Sequence, residues 1–239
     1  MKTLKVSLLA IAALFVTNFV QAQTADDVVN KYLDAIGGRA LLGTIKSLYV
    51  ESEASMMGNT LPVTINCLFG KGYKTEMDIS GQKIIQCVTD NGGWMINPMA
   101  GNSTAQPMPE DEYKSSKDNL QLGAPLINYA ANGSKIELVG KETLDSVSVY
   151  HLKLTDKDNN ETNFYINSTT YYMVKMTKTV ADAQIDITTT FSDYQKTDAG
   201  YVMPFTTKMS MSNGIDFTMT VKKVVVNKEI DPKIFEKSE

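Results

Sequence analysis

The chain reads as a mainly β protein of the α+β class: a curled antiparallel sheet of about eleven to twelve strands, one N-terminal helix and one helical interruption. Three observations carry this reading. Apolar residues recur with period two from Leu48 almost to the end of the chain. Turn chemistry breaks that alternation at Gly58-Asn59, Gly70, Ser80-Gly81 and Asn91-Gly92-Gly93. The strands are long and their connections short, which makes neighbours antiparallel, and an open sheet of so many twisted strands curls.

The elements follow in order. Lys2 and Lys5 precede an apolar run from Val6 to Val20, and Val20-Gln21-Ala22 offers a small-residue cleavage site. The run is interrupted by Ser7, Thr17 and Asn18, so residues 1–22 are expected to be a secretory signal peptide and not a membrane span. Export removes the chain from cytoplasmic nucleotides and thiols. Loss of Lys2 and Lys5 takes the formal charge from −4 to −6, and no basic run invites nucleic acid. No cysteine follows the cleavage point, so a soluble exported domain over 23–239 is expected, with no lipid anchor.

Thr24 is a suitable N-cap, with Asp26 and Asp27 in the first turn. Val28, Val29, Tyr32, Leu33 and Ile36 recur at helical spacing until Gly37-Gly38 stops the helix. Strands are expected at 47–57, 61–69, 72–79, 82–89 and 93–97. The helical interruption runs over 107–131, with Leu120, Leu122, Leu126 and Ile127 as its apolar residues and a break at Gly123-Ala124-Pro125. Strands resume at 135–144, 147–155, 161–167, 171–180, 184–194, 201–211 and 215–226, before a capped turn at Asp231–Phe235. Without a linker or a repeat, 23–239 reads as one domain.

The last strands show their faces. Ile187 and Phe191, then Met203, Phe205 and Met209, then Phe217 and Met219 alternate with Thr, Ser, Asp and Lys. Met77 and Ile79 continue the apolar side in the first half. Methionine is flexible and polarizable, and adaptable apolar binding surfaces over-use it. A long curled sheet carries more apolar face than two short helical pieces cover, so the surplus is core, a ligand cavity or a partner surface. An acyl chain suits such a cavity: each buried CH2 is worth roughly 0.8 kcal/mol. The 107–131 segment would then be a lid.

Signals for catalysis and metals are thin. Cys67 and Cys87 have opposite parity on strands two apart, about 9.6 Å against the roughly 7 Å that a disulfide tolerates, so free thiols are expected. His151, the sole histidine, alternates with Tyr150 and Leu152 and points to the wet face. Asp156–Glu161 lacks the glycine and final glutamate of a calcium loop and reads as a polar hairpin. No catalytic residue, metal or cofactor is expected.

Several short motifs in order resemble the periplasmic lipoprotein-carrier and outer-membrane-lipoprotein-sorting (LolA/LolB-like) superfamily. They are Ala35-Ile36-Gly37-Gly38, Ile45-Lys46-Ser47-Leu48, Asp90–Pro98 with Gly93-Trp94, and Tyr165-Ile166-Asn167 with Tyr172–Lys175. Ser192-Asp193-Tyr194 before Pro204, and Asn227 with Ile230-Asp231 and Phe235, complete them. The resemblance implies an incomplete antiparallel β-barrel plugged by helices, a hydrophobic cavity for acyl chains, and no enzyme activity. It also implies an arginine near the cavity that closes the lid, and the one arginine here, Arg39, does not map onto that role from sequence.

Two functions follow as expectations. One is a periplasmic binding protein that holds lipid or lipoprotein acyl chains, for lipoprotein sorting or lipid transport. The other is an envelope protein-interaction or stress-sensing module of the same fold, with no lipid cargo. A carboxylate-based hydrolase would need an acidic pair on one face, and alternation provides none.

Overall fold

Thr24 starts helix α1 (Ala25–Ala35): its side chain accepts from Asp27 N, and the Asp27 carboxylate accepts from Thr24 N. Gly37, at φ 131°, turns the chain directly into helix α2 (Gly38–Thr44), a conformation that L side chains rarely adopt. The computed structural model describes residues 23–56, 58–123, 125–180 and 184–237; the expected signal peptide lies outside them.

Strands β1 (Ser47–Met56), β2 (Asn59–Leu68), β3 (Gly72–Ile79), β4 (Gln82–Thr89), β5 (Gly92–Asn97) and β6 (Asn102–Pro107) form the first half of the sheet. Helix α3 (Glu110–Ser116) and a 3-10 turn (Lys117–Leu120) follow. The second half is β7 (Lys135–Leu144), β8 (Val147–Thr155), β9 (Glu161–Asn167), β10 (Met173–Val180), β11 (Ile185–Lys196), β12 (Val202–Met211) and β13 (Asp216–Val226). A 3-10 turn at Pro232–Phe235 ends the described chain.

All thirteen strands make one antiparallel sheet, ordered β6-β5-β4-β3-β2-β1-β13-β12-β11-β10-β9-β8-β7. Each half is a meander, and the two are zipped together by β1 against β13, from Leu48 opposite Val226 to Ser55 opposite Thr218. The sheet is not closed: β6 and β7 are its edges. The expected incomplete barrel is therefore what the chain forms, with one strand more than the alternation shows. That strand, β6, is Asn-Ser-Thr-Ala-Gln-Pro and has no apolar alternation to read. A short polar edge ending in proline also discourages pairing with another chain.

The inner face carries the helices. Val28, Val29 and Leu33 of α1 pack with Leu126 on Leu152, Phe164, Ile166 and Met173. Ile45 and Leu122 pack near Leu48, Val50 and Cys67. Val88, Met108 and Leu120 continue this layer toward the first edge. A separate cluster lies on the outer face, where Phe235 covers Cys87 and Trp94. The Trp94 indole N–H donates to Phe235 O at 2.9 Å, and a Cβ on Gly72 would collide with the Phe235 ring.

Register settles the cysteines. Cys67 pairs with Tyr73, Tyr73 with Val88, and Cys87 with Lys74, so the two thiols face opposite sides, both free and buried. Burial pushes the Cys67 thiol up to about 12 and the Cys87 thiol up to about 11. His151 also keeps its predicted outer face. It stacks on Tyr165, with Nδ1 2.6 Å from Glu142 and Nε2 2.8 Å from Asn163.

Two predictions follow from this packing. Phe235→Ala is expected to cost about 3 kcal/mol in urea unfolding, and to red-shift the emission of Trp94, the only tryptophan. Both thiols are expected to stay unreactive toward a disulfide reagent at pH 8 until the chain unfolds. Because the folded thiols hold their protons where unfolded ones lose them, stability should fall as pH rises from about 9 toward 11.

Candidate functional site

The inner face is filled unevenly. The half nearest the start of β1 is covered by α1, α2 and the connection between β6 and β7. The other half bears the hairpin ends of β1–β3 and β11–β13. There Met77 lies between Val63 and Ile84, and Ala54 between Leu61 and Met219. Met219 pairs onward with Thr207, and Met209 sits between Phe217 and Thr189. Ile187 lies opposite Met211. Met77, Ile79, Ile187, Met209, Phe217 and Met219 are each partly buried, and none packs into a described core cluster. This methionine-rich stretch is the candidate site.

Phe191 differs from these six: it packs against the α1 core. Beyond it the alternation breaks. Asp193 holds φ 52°, and Tyr194, three positions after Phe191, stacks on Tyr172 and donates its phenol to Met173 O. Tyr172 belongs to the same inner core as Phe191, so strict alternation skips a step here. Met203 pairs with Gln195 in this disturbed stretch, and Phe205 lies between the Thr206 and Pro204 pairings. On β12 itself Met203, Phe205, Thr207 and Met209 share one parity, and the register with β11 does not shift across this stretch.

The four predicted lid residues are buried or partly buried. Leu126 is 0% exposed within the α1 cluster, Leu120 is buried against Val88, and Leu122 and Ile127 pack on the inner layers. The segment is tied at both sides of the gap. Tyr113 Oη donates to Thr89 O and Asp90 O, and Gly70 N donates to Leu120 O. Across the gap, Tyr129 Oη donates to Asp26, and Arg39 Nη1 donates to Ile127 O at 2.8 Å. Arg39, which sequence left without a place, thus holds the backbone of this segment. In this structure the segment is a plug.

Three polar side chains on the inner face escape a sequence reading centred on methionine. Ser52 (4% exposed) sits between Val63 and Val221, and Thr189 (3% exposed) between Met176 and Met209; neither hydroxyl has a hydrogen-bond partner. Lys178 lies between Thr162 and Ile187. The signal existed: Val174, Met176, Lys178 and Val180 share a parity.

Recesses of about 460 and 500 Å3 lie at the Phe235 turn and among Asn160, Thr177, Lys178, Asp186, Ile187 and their neighbours. Among the described residues no cluster of three His, Cys, Asp or Glu side chains could hold a metal. No described helix is long and apolar enough to cross a membrane.

Removing the Arg39 tether should loosen the plug. Arg39→Ala is expected to speed amide exchange over 121–131 at least severalfold, with a stability loss of about 1 kcal/mol or less because the group is exposed.

A family model described only as an uncharacterized protein matches residues 128–239. No curated protein matches the sequence. Among solved structures, a LolA superfamily protein from Nitrosomonas europaea superposes with a TM-score of 0.59 at 14% identity, over 90% of this chain and 98% of that one. A DUF1329 family protein from Desulfovibrio piger gives 0.61 at 14% identity, over 89% and 97%. A domain described as an outer-membrane lipoprotein-sorting protein, from Vibrio parahaemolyticus, gives 0.57 at 13% identity, over 88% and 97%. These likenesses span nearly the whole of each molecule, and the chain has the fold of the LolA superfamily.

Proposed function

We propose that the protein is a periplasmic binder of acyl chains, taking lipid or lipoprotein cargo on the methionine-rich half of its inner face. The observation that carries this reading is the uneven filling of that face. One half is packed by α1 and the plug, while Met77, Met209, Phe217 and Met219 have no core partner. A chain of about ten methylenes laid there gains about 8 kcal/mol before association and ordering costs, a driving force that needs no charged partner. The shared fold with a domain described as a lipoprotein-sorting protein points the same way. On this reading the protein carries cargo and performs no chemistry on it. Met203 and Phe205 share the parity of Thr207 and Met209 on β12 and belong to the proposed surface on that ground, and Phe191 marks its boundary with the core. Movement of the plug on Arg39 would adjust the opening.

Native mass spectrometry of the protein purified from an exporting host, followed by solvent extraction, tests the reading. The expected result is an acyl lipid bound to a fraction of the molecules. Met209→Glu is expected to weaken a fluorescent acyl probe by about tenfold or more while changing stability by about 1 kcal/mol, since the site is only partly buried. A lipid-free mass with no uptake of added lipid or acylated peptide would overturn the proposal. It would turn attention to the protein-interaction alternative.

A further inference from the structure

Lys178 is out of place among its neighbours. It follows Met176 by two residues on β10, and Met176 packs on the α1 core, so Lys178 shares the inner face. Its cross-strand partners are Ile187 on β11 and Thr162 on β9. Thr189, opposite Met176, is its diagonal neighbour on the same face, within reach of a long side chain. Among the described residues no carboxylate oxygen lies within 4.0 Å of the ammonium. The acidic group that acts on it is Asp118, from the 3-10 turn of the plug. Burial lowers the pKa of Lys178, as expected for a cation held against apolar surface. Thr189 Oγ1 is the second, independent observation: a hydroxyl more than nine-tenths buried on this face with no partner. A cation and an unsatisfied hydroxyl side by side on an otherwise methionine-rich surface leave hydrogen-bonding capacity for a ligand to complete.

We propose that Lys178, Thr189 and Thr162 receive the head of a long-chain carboxylate whose alkyl chain lies over Ile187, Met209 and Met219. This rests on the acyl-binding reading above and adds the headgroup to it. One ammonium with two hydroxyls matches one negative charge shared by two oxygens. A dianionic phosphate would keep a charge uncompensated against apolar surface.

Calorimetric titration with dodecanoate, dodecanol and dodecyltrimethylammonium, each below its micelle concentration, tests the assignment. The wild-type protein is expected to bind dodecanoate about tenfold more tightly than dodecanol, and the quaternary ammonium least tightly. Lys178→Met should erase the preference for the carboxylate and leave dodecanol affinity unchanged. Thr189→Val, which cuts no existing hydrogen bond, should reduce the preference partway and reports independently should Lys178→Met fail to fold. Equal binding of dodecanoate and dodecanol by the wild type, or an unchanged preference in both variants, overturns the headgroup assignment while leaving acyl binding standing. No binding of any of the three overturns the acyl-binding reading, and the headgroup with it.

Discussion

The pairing of β1 with β13 is the constraint on which the rest of the molecule depends. It joins the first and last strands in the middle of the sheet, Leu48 against Val226. Each half by itself is a run of hairpins that forms locally. Their union closes a loop spanning almost the whole chain, at an entropy cost of about 4–5 kcal/mol. That cost is met by the buried inner residues Leu48, Val50 and Ala54 facing Val226, Val224 and Met219. Once the ends meet in the centre, the strands left at the edges are β6 and β7, which are consecutive in sequence. The segment between them must then pass across the open side of the sheet. The plug is thus a consequence of topology before it is a functional device.

The motifs that carry the family resemblance sit at the joints of this architecture. Ile36 O accepts from Val202 N, linking the end of α1 to the start of β12. Lys46 N donates to Asn227, and Asn227 N donates to Ser47 O, clamping the start of β1 to the end of β13. Trp94 donates to Phe235, and Tyr194 stacks on Tyr172. Residues far apart in sequence thus meet in pairs. These contacts specify the fold, and none of them lies in the methionine-rich stretch. A resemblance resting on them speaks to architecture, and function has to be argued from the methionine-rich face.

That face shows how stability and binding divide the same surface. Where α1 and the plug cover the sheet, most side chains are branched or aromatic and buried, as at Leu152, Phe164 and Ile166, with Met173 among them. Away from the helices methionine is frequent and partly buried, and the buried hydroxyls of Ser52 and Thr189 go without partners. A folding core penalises both choices, because methionine specifies packing poorly and an unpaired hydroxyl costs free energy. A surface that accommodates a variable apolar chain with a polar end tolerates them.

Local structure was legible in the sequence. Period-two alternation and Gly/Asn turns placed twelve strands, several to the residue, such as β3, β4, β7, β8 and β9. The same parity set Cys67 and Cys87 on opposite faces and turned His151 outward. These are short-range consequences of pleat geometry, which one strand and its turn contain. The polar edge strand β6 escaped because its register comes from β5 and not from its own pattern. Only the tertiary structure decided which part of the apolar face is core. Burial of Leu126, the hold of Arg39 on Ile127 and the company of Lys178 all depend on where the plug lands. That follows from pairing the chain's two ends, a contact no local window of sequence holds.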